Sequence, residues 1–326
     1  MKKIITIISV LLIVLTLSAC NRNSGDDKPV IYATIYPIMF LVEEIAGDTV
    51  SIERVPGSNV HSEAYDWSAK EIISMQNASF IFYVGANTDN YIPNNKEAIF
   101  DDGDVDLIHI GDYVDYANVC YDTTHVHGEE DHDEHEEEII DETCDSAQLS
   151  VDPHFWLDPN RMIIAADMIR DLLIEKYPQN AVMYNDNYMD LQMTLEELDA
   201  AYDLMASEAT KPIITTNMLF NYWHEAYDIE ILSLTADAHN DNTIPSDIIG
   251  FVEEAIAHDI ECILFETNAN SPSGDAVLLG LQEQNPNAER RYIHGLGVLT
   301  TDEVNNLEDY LTLMYKNLEV LNEVTK

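Results

Sequence analysis

Basic residues are scarce in this chain: 15 Lys and Arg stand against 61 Asp and Glu, a formal net charge of -46 at pH 7. So few cations cannot assemble the positive face that a phosphate backbone requires, and nucleic acid is excluded as a partner. Cysteine is scarce too, at four in 326 residues, too few for a disulfide scaffold. After the first 20 residues no apolar run is long enough to cross a bilayer. There is also no His–Glu–x–x–His or comparable arrangement of the kind a zinc hydrolase uses to activate water. A hydrolase would have Glu266 as its only candidate base, which makes it a weaker reading than capture of a ligand without turnover. An adhesive role would need an exposed apolar or aromatic patch, which a sequence cannot reveal.

What is present begins at the N-terminus. Met1–Lys2–Lys3 is a short cationic start, and Ile4 to Leu17 is an almost unbroken run of Ile, Leu and Val, about 14 residues long. That is below the roughly 18–20 residues of a spanning helix and fits a secretory signal. The run ends at Leu17–Ser18–Ala19–Cys20 and a polar stretch follows. This resembles the bacterial lipoprotein box. It predicts a signal peptide over 1–20, a lipidated Cys20, a flexible tether over 21–29, and an extracytoplasmic protein held at the membrane by acyl chains. A plain secreted protein is the alternative. Cys120 and Cys144 flank the most polar segment and would close it as a disulfide in an oxidising compartment. Cys262 sits in a strand-like run and reads as a small buried hydrophobe.

The hydrophobic pattern alternates strand with helix. Strands are expected at 30–34, 49–55, 80–84 and 105–110, with helices at 37–46 and 68–77 and a helix opening at Asp158–Pro159 and running to about 175. From Asn180 to Ala206 there is no Pro or Gly, and Val182, Tyr188, Leu191, Leu195, Leu198, Tyr202 and Met205 recur at helical spacing. A helix of roughly 40 Å exceeds the usual element of one lobe and is suited to span two. The pattern then restarts. Strands are expected at 211–216, 229–234, 262–265 and 290–293, with helices from about 220, at 246–258, at 275–284, and a single closing helix from Asp302 to about Val324. The fold class is therefore α/β: two similar lobes, each a parallel-sheet sandwich, over 30–178 and 209–326, joined by a rigid bridging helix at 179–208. The N-terminal lobe contains an acidic His-rich loop at 121–143.

Eleven histidines supply candidate metal ligands. His125, His127, His132 and His135 stand among eight carboxylates within residues 125–138, a mixture that suits Zn²⁺ and its first-row neighbours. A merely solvated acidic loop is the bland alternative. His61 and His154 are of another kind, because each follows a proline-containing turn at a strand or loop end, where binding groups gather on an α/β scaffold. Taken alone, each reads equally well as a surface histidine.

The motifs around them decide. Pro56–Gly57–Ser58–Asn59–Val60–His61, Ala78–Ser79–Phe80–Ile81–Phe82–Tyr83–Val84–Gly85–Ala86 and Asp152–Pro153–His154–Phe155–Trp156–Leu157–Asp158–Pro159 together resemble the solute-binding proteins of zinc and manganese ABC transporters. The likeness extends over the whole mature chain, and the acidic histidine loop resembles one found in the zinc-handling branch. The resemblance implies a monomer that holds a metal between its lobes with three histidines and a carboxylate and delivers it to a membrane permease. His61 and His154 match the first two ligands. The third histidine position holds Asn217, and the fourth, usually an aspartate, holds His294. His239 is the best replacement for the missing histidine, and Glu266 is either a ligand or an outer hydrogen-bond partner. His224 reads as a surface residue. An imidazole-rich set favours Zn²⁺; Mn²⁺, which prefers more oxygen ligands, is the alternative cargo, and nickel and cobalt stay open.

Overall fold

The structure is a computed structural model that describes residues 28–58, 66–101, 103–120, 149–235, 245–267 and 269–326. The expected alternation is realised. The first half contains β1 (Val30–Ala33), α1 (Tyr36–Ala46), β2 (Ser51–Arg54), α2 (Ala69–Gln76), β3 (Phe80–Tyr83), the short α3 (Tyr91–Asn94) and β4 (Asp106–His109). An antiparallel pair, β5 (Asn118–Cys120) and β6 (Leu149–Val151), leads to α4 (Pro159–Lys176). The bridging helix is α5 (Ala181–Glu208), 28 residues and so about 42 Å long. The second half runs β7 (Ile213–Thr215), α6 (Asn221–Tyr227), β8 (Ile231–Ser233), α7 (Pro245–Ala257), β9 (Cys262–Glu266), α8 (Pro272–Gln284), β10 (Glu289–Ile293), α9 (Thr301–Asn305) and α10 (Tyr310–Val324).

Each half builds a four-stranded, wholly parallel sheet, in the orders β2-β1-β3-β4 and β8-β7-β9-β10. The two orders are the same topology. In each sheet the first strand of the half lies inside, so the chain reverses its direction of travel between the first and third strands: β1 and β3, or β7 and β9. Open α/β sheets bind ligands at that switch, beyond the carboxyl ends of the strands. Central strands are buried on both faces, as Ile31, Tyr32 and Ala33 illustrate.

The apolar core is continuous across the halves. One cluster runs from Ile31 and Leu41 through Trp156, Ile169 and Leu195 to Phe220, Leu264, Tyr310 and Leu321, while smaller clusters lie around Ile81 and Phe100 and around Ile214 and Leu281. Helix α5 sits in the large cluster and buries Tyr184, Tyr188, Leu191, Leu195, Leu198, Tyr202 and Met205, an alternation of three- and four-residue steps that keeps one face inward. Val182 does not belong to that face and is 76 % exposed; six residues from Tyr188, it is rotated well off the stripe, and Tyr184 takes its place. Among the described residues no helix is long and apolar enough to cross a membrane.

Two further expectations need correction. The closing helix is two helices, because Leu307 adopts φ +56° and the carboxylate of Asp309 caps a new N-terminus by accepting from Thr312 N. The break carries neither Pro nor Gly, but each helix begins with its own capping box, at Thr300–Glu303 and Asp309–Thr312. Cys262 is half-buried at the start of β9, not a core residue.

Candidate metal site

The loops after the strands bring the two halves together. The Trp156 indole N–H donates to Gly295 O at 2.8 Å, Tyr36 N donates to Gly297 O at 3.1 Å, and Arg54 at the end of β2 donates to both Thr34 O and Gly297 O. From the other side, Tyr222 of α6 donates its hydroxyl to Asp152 O and accepts from Ala117 N, each at 2.8 Å. Tyr310 donates to Trp156 O at 2.7 Å. The segment 152–156 is therefore clamped by side chains from the second half, and His154 lies where the halves meet.

His154 is buried and its ring is fixed. Asp152 Oδ1 accepts from the backbone N–H of His154 at 2.9 Å and from its ring Nδ1 at 2.7 Å. With the proton on Nδ1, the lone pair of the ring is on Nε2, the arrangement that carboxylate–histidine–metal triads use. The other carboxylate oxygen, Asp152 Oδ2, is buried with no hydrogen-bond partner among the described residues. A buried anion of this kind is offset by a cation nearby. Pro153 limits the backbone between the two side chains, and the edge of the Trp156 ring packs on the imidazole at 5.1 Å. The role of Asp152 could have been read from its place two residues before the histidine.

In the second sheet, Asn217 follows β7 and Glu266 ends β9, so the pair spans the switch between those strands. Asn217 Nδ2 donates to Glu266 Oε2 at 2.9 Å, while its Oδ1 caps the following turn by accepting from Leu219 N at 3.4 Å. The other Glu266 oxygen lies against Gly295, where an added Cβ would stand 2.6 Å from it. In the first sheet the matching switch is filled by Asp89, which accepts from the Thr34 hydroxyl at 2.6 Å and from Val84 N and Gly85 N at 2.7 Å each. Burial raises the Asp89 pKa against the pull of these bonds.

His294, one residue past β10, is also buried, yet its ring is bound within its own half. Nδ1 accepts from Leu296 N at 2.9 Å, which places the proton on Nε2, and Nε2 donates to Glu303 Oε1 at 3.0 Å. Asn317 accepts from His294 N and donates to His294 O. Burial lowers the pKa of His294, with Glu303 opposing, in keeping with the neutral ring. His224 Nδ1 is bound to Ile229 O, two residues past the end of its helix. Among the described residues no three His, Cys, Asp or Glu side chains form one metal-sized group. His61, His239, the loop histidines His125, His127, His132 and His135, the lipidation candidate Cys20, Cys144 and the Cys120 side chain lie outside the described residues. A groove of about 720 Å³ beside edge strand β4, lined by Phe80, Lys96, Phe100 and Lys176 among others, contains none of the candidate ligands.

Residues 31–324 match the family described as zinc-uptake complex component A, periplasmic, or ZnuA. The chain belongs to this family. The zinc-binding lipoprotein AdcA of Streptococcus pneumoniae is 27% identical over all of this chain and 61% of its own length, and the zinc-binding protein AdcA of Streptococcus pyogenes is 24% identical over 99% of this chain and 62% of its own. The chain thus spans about three-fifths of the length of these relatives. Among solved structures, the Zn(II)-bound ZnuA-like domain of S. pneumoniae AdcA matches with a TM-score of 0.67 and 25% identity, covering 91% of this chain and 99% of that one. The metal-dependent lipoprotein YcdH of Bacillus subtilis, at 19% identity, shares the fold with a TM-score of 0.70, covering 91% of this chain and 99% of its own. ZnuA membership accounts for the two like sheets joined by one long helix.

Proposed function

We propose that this chain captures a divalent transition metal outside the cytoplasmic membrane, zinc before others, and passes it to an ABC-type permease. The family is one of uptake components, and capture makes and breaks no covalent bond, so no turnover is expected. The observation that carries the reading is His154: buried where the halves meet, with its Nδ1 proton committed to Asp152, which makes Nε2 the lone-pair nitrogen of the ring. Imidazole suits zinc, and the zinc-binding relatives add weight to that choice of cargo. His61 follows β2 by a few residues and is proposed as the partner of His154 from the same lobe. His239, in the segment after β8, is proposed to approach from the other lobe.

The acidic segment containing His125, His127, His132 and His135 is proposed to collect metal and pass it inward, aided by the field of a chain with net charge -46. Cys20, at the end of the predicted signal peptide, would tether the mature protein to the membrane. The test is metal content and titration of the mature chain with zinc and manganese, alongside a version lacking residues 125–138. One zinc retained tightly by both supports the reading. Tight zinc only when the loop is present would move the function to the loop, and tighter manganese than zinc would change the cargo.

A further inference from the structure

We infer that the second half contributes the Glu266 carboxylate to the metal, aimed by the Asn217 amide, and that His294 serves as a structural histidine held by Glu303. The inference rests on the capture reading above and specifies its ligand set. Topology comes first. Asn217 lies two residues past the end of β7 and Glu266 ends β9, the two strands on either side of the switch in the second sheet, the point at which open parallel sheets present groups to a ligand. Their side chains meet there through the 2.9 Å bond from Asn217 Nδ2 to Glu266 Oε2. An amide N–H on one oxygen fixes the plane of the carboxylate, as outer hydrogen-bond partners do for ligating carboxylates.

The second observation ties Glu266 to His154. Gly295 accepts the Trp156 indole bond on its carbonyl, and its Cα side faces Glu266 so closely that a Cβ would stand 2.6 Å from Oε1. The imidazole of His154 packs against that same Trp156 ring. Glu266 and His154 therefore flank one bridge between the halves, each fixed by a neighbour's hydrogen bond.

The third observation concerns His294. For its ring to ligate metal, it must surrender either the Leu296 N–H on Nδ1 or the Glu303 bond on Nε2. The Thr300–Glu303 capping box holds Glu303 in place, and Asn317 holds the backbone of His294 from both sides, so the ring is embedded in the start of α9 and in α10. A glutamate ligand gives the site more oxygen character than histidines alone would, and its preference for zinc over manganese should be correspondingly narrower.

Zinc and manganese affinities of the full mature chain would be measured for wild type, Glu266→Gln, Asn217→Ala and His294→Gln, with thermal unfolding of each metal-free protein. Glu266→Gln should weaken zinc by about 100-fold or more, beyond the usual cost of an outer partner, with unfolding of the metal-free chain unchanged. Asn217→Ala should weaken it by roughly 10-fold. His294→Gln should unfold at lower temperature yet bind zinc within about threefold of wild type. If that variant does not fold, ¹⁵N spectra of the histidine rings in wild type decide: zinc should shift Nε2 of His154 and leave the His294 pattern of bare Nδ1 and protonated Nε2 intact. Unchanged zinc affinity in Glu266→Gln, or a metal-induced shift at His294, overturns this inference alone. A wild-type chain that holds no zinc overturns it together with the capture reading.

Discussion

Replacing Asp152 by alanine removes one acceptor that serves two donors, the backbone N–H and the ring Nδ1–H of His154, at 2.9 and 2.7 Å. Both donors are buried, so each would lose this acceptor, a loss of about 1–3 kcal/mol apiece in a rigid site. Part of that is returned, because Asp152 Oδ2 is itself buried with no hydrogen-bond partner among the described residues and its charge disappears with the substitution. For metal binding the larger effect is on the ring. Without the carboxylate, the acceptor that commits the proton to Nδ1 is gone, and Nε2 becomes a weaker and less well-aimed ligand. Loss of such outer partners reduces metal affinity by roughly 10–100-fold, or about 1.4–2.7 kcal/mol. Asp152→Asn keeps an acceptor of the same shape without charge and should lose less than Asp152→Ala. Competition with a chromogenic chelator at pH 7 gives the affinities, and urea unfolding of the metal-free chains separates binding from stability. Zinc affinity of Asp152→Ala within about twofold of wild type would refute the role given to this pair.

Tyr310→Phe leaves the buried carbonyl of Trp156 without its 2.7 Å donor and should cost about 1–2 kcal/mol in urea unfolding. Leu195→Ala, at the fully buried centre of the bridging helix, should cost about 2–5 kcal/mol, and a loss below 1 would mean that the helix is not the shared core element described here. Arg161→Met removes the guanidinium that joins Asp158 at 2.5 Å to Glu225 at 2.7 Å, leaving a carboxylate only 5% exposed without its counterion; about 3 kcal/mol should be lost, less in Asp158→Asn/Arg161→Met. Metal-free stability should also fall with acid in two stages. Burial holds His294 below its ordinary 6.5, so its contribution is complete above that pH and lost as pH falls below it. Glu303 sits below its ordinary 4.5, since bonds from Thr300 and His294 outweigh the upward push of burial, and its contribution is lost as pH falls through that lower value. His294→Gln should abolish the first stage, which unfolding curves between pH 7 and 5 would show directly.

The alternation of strand and helix was legible because apolar β-rich runs are separated by amphipathic helices, and every element of both sheets lies within a few residues of its expected place. The bridging helix was legible from its uninterrupted spacing, though Val182 was assigned to the wrong face. The three-residue strands β5 and β6 were not foreseen, since so short a pair leaves little periodicity to read. Nor was the break between α9 and α10, where the signal was two capping boxes in succession and no proline or glycine. At the candidate site, Asp152–Pro153–His154 marked a loop that lies where the halves meet. What local sequence could not supply was partnership: that His294 bonds Glu303 nine residues on, or that Asn217 reaches Glu266 across the sheet switch, depends on how loops from separate strands meet.

The central claim is that metal is held between the halves with His154 as a ligand. The most direct test is a crystal structure of the zinc-loaded mature chain with anomalous data at the zinc edge. The account predicts one strong peak between the carboxyl ends of the two sheets, about 2.0–2.1 Å from His154 Nε2. Anomalous density confined to the acidic histidine segment, with none at His154, would contradict it.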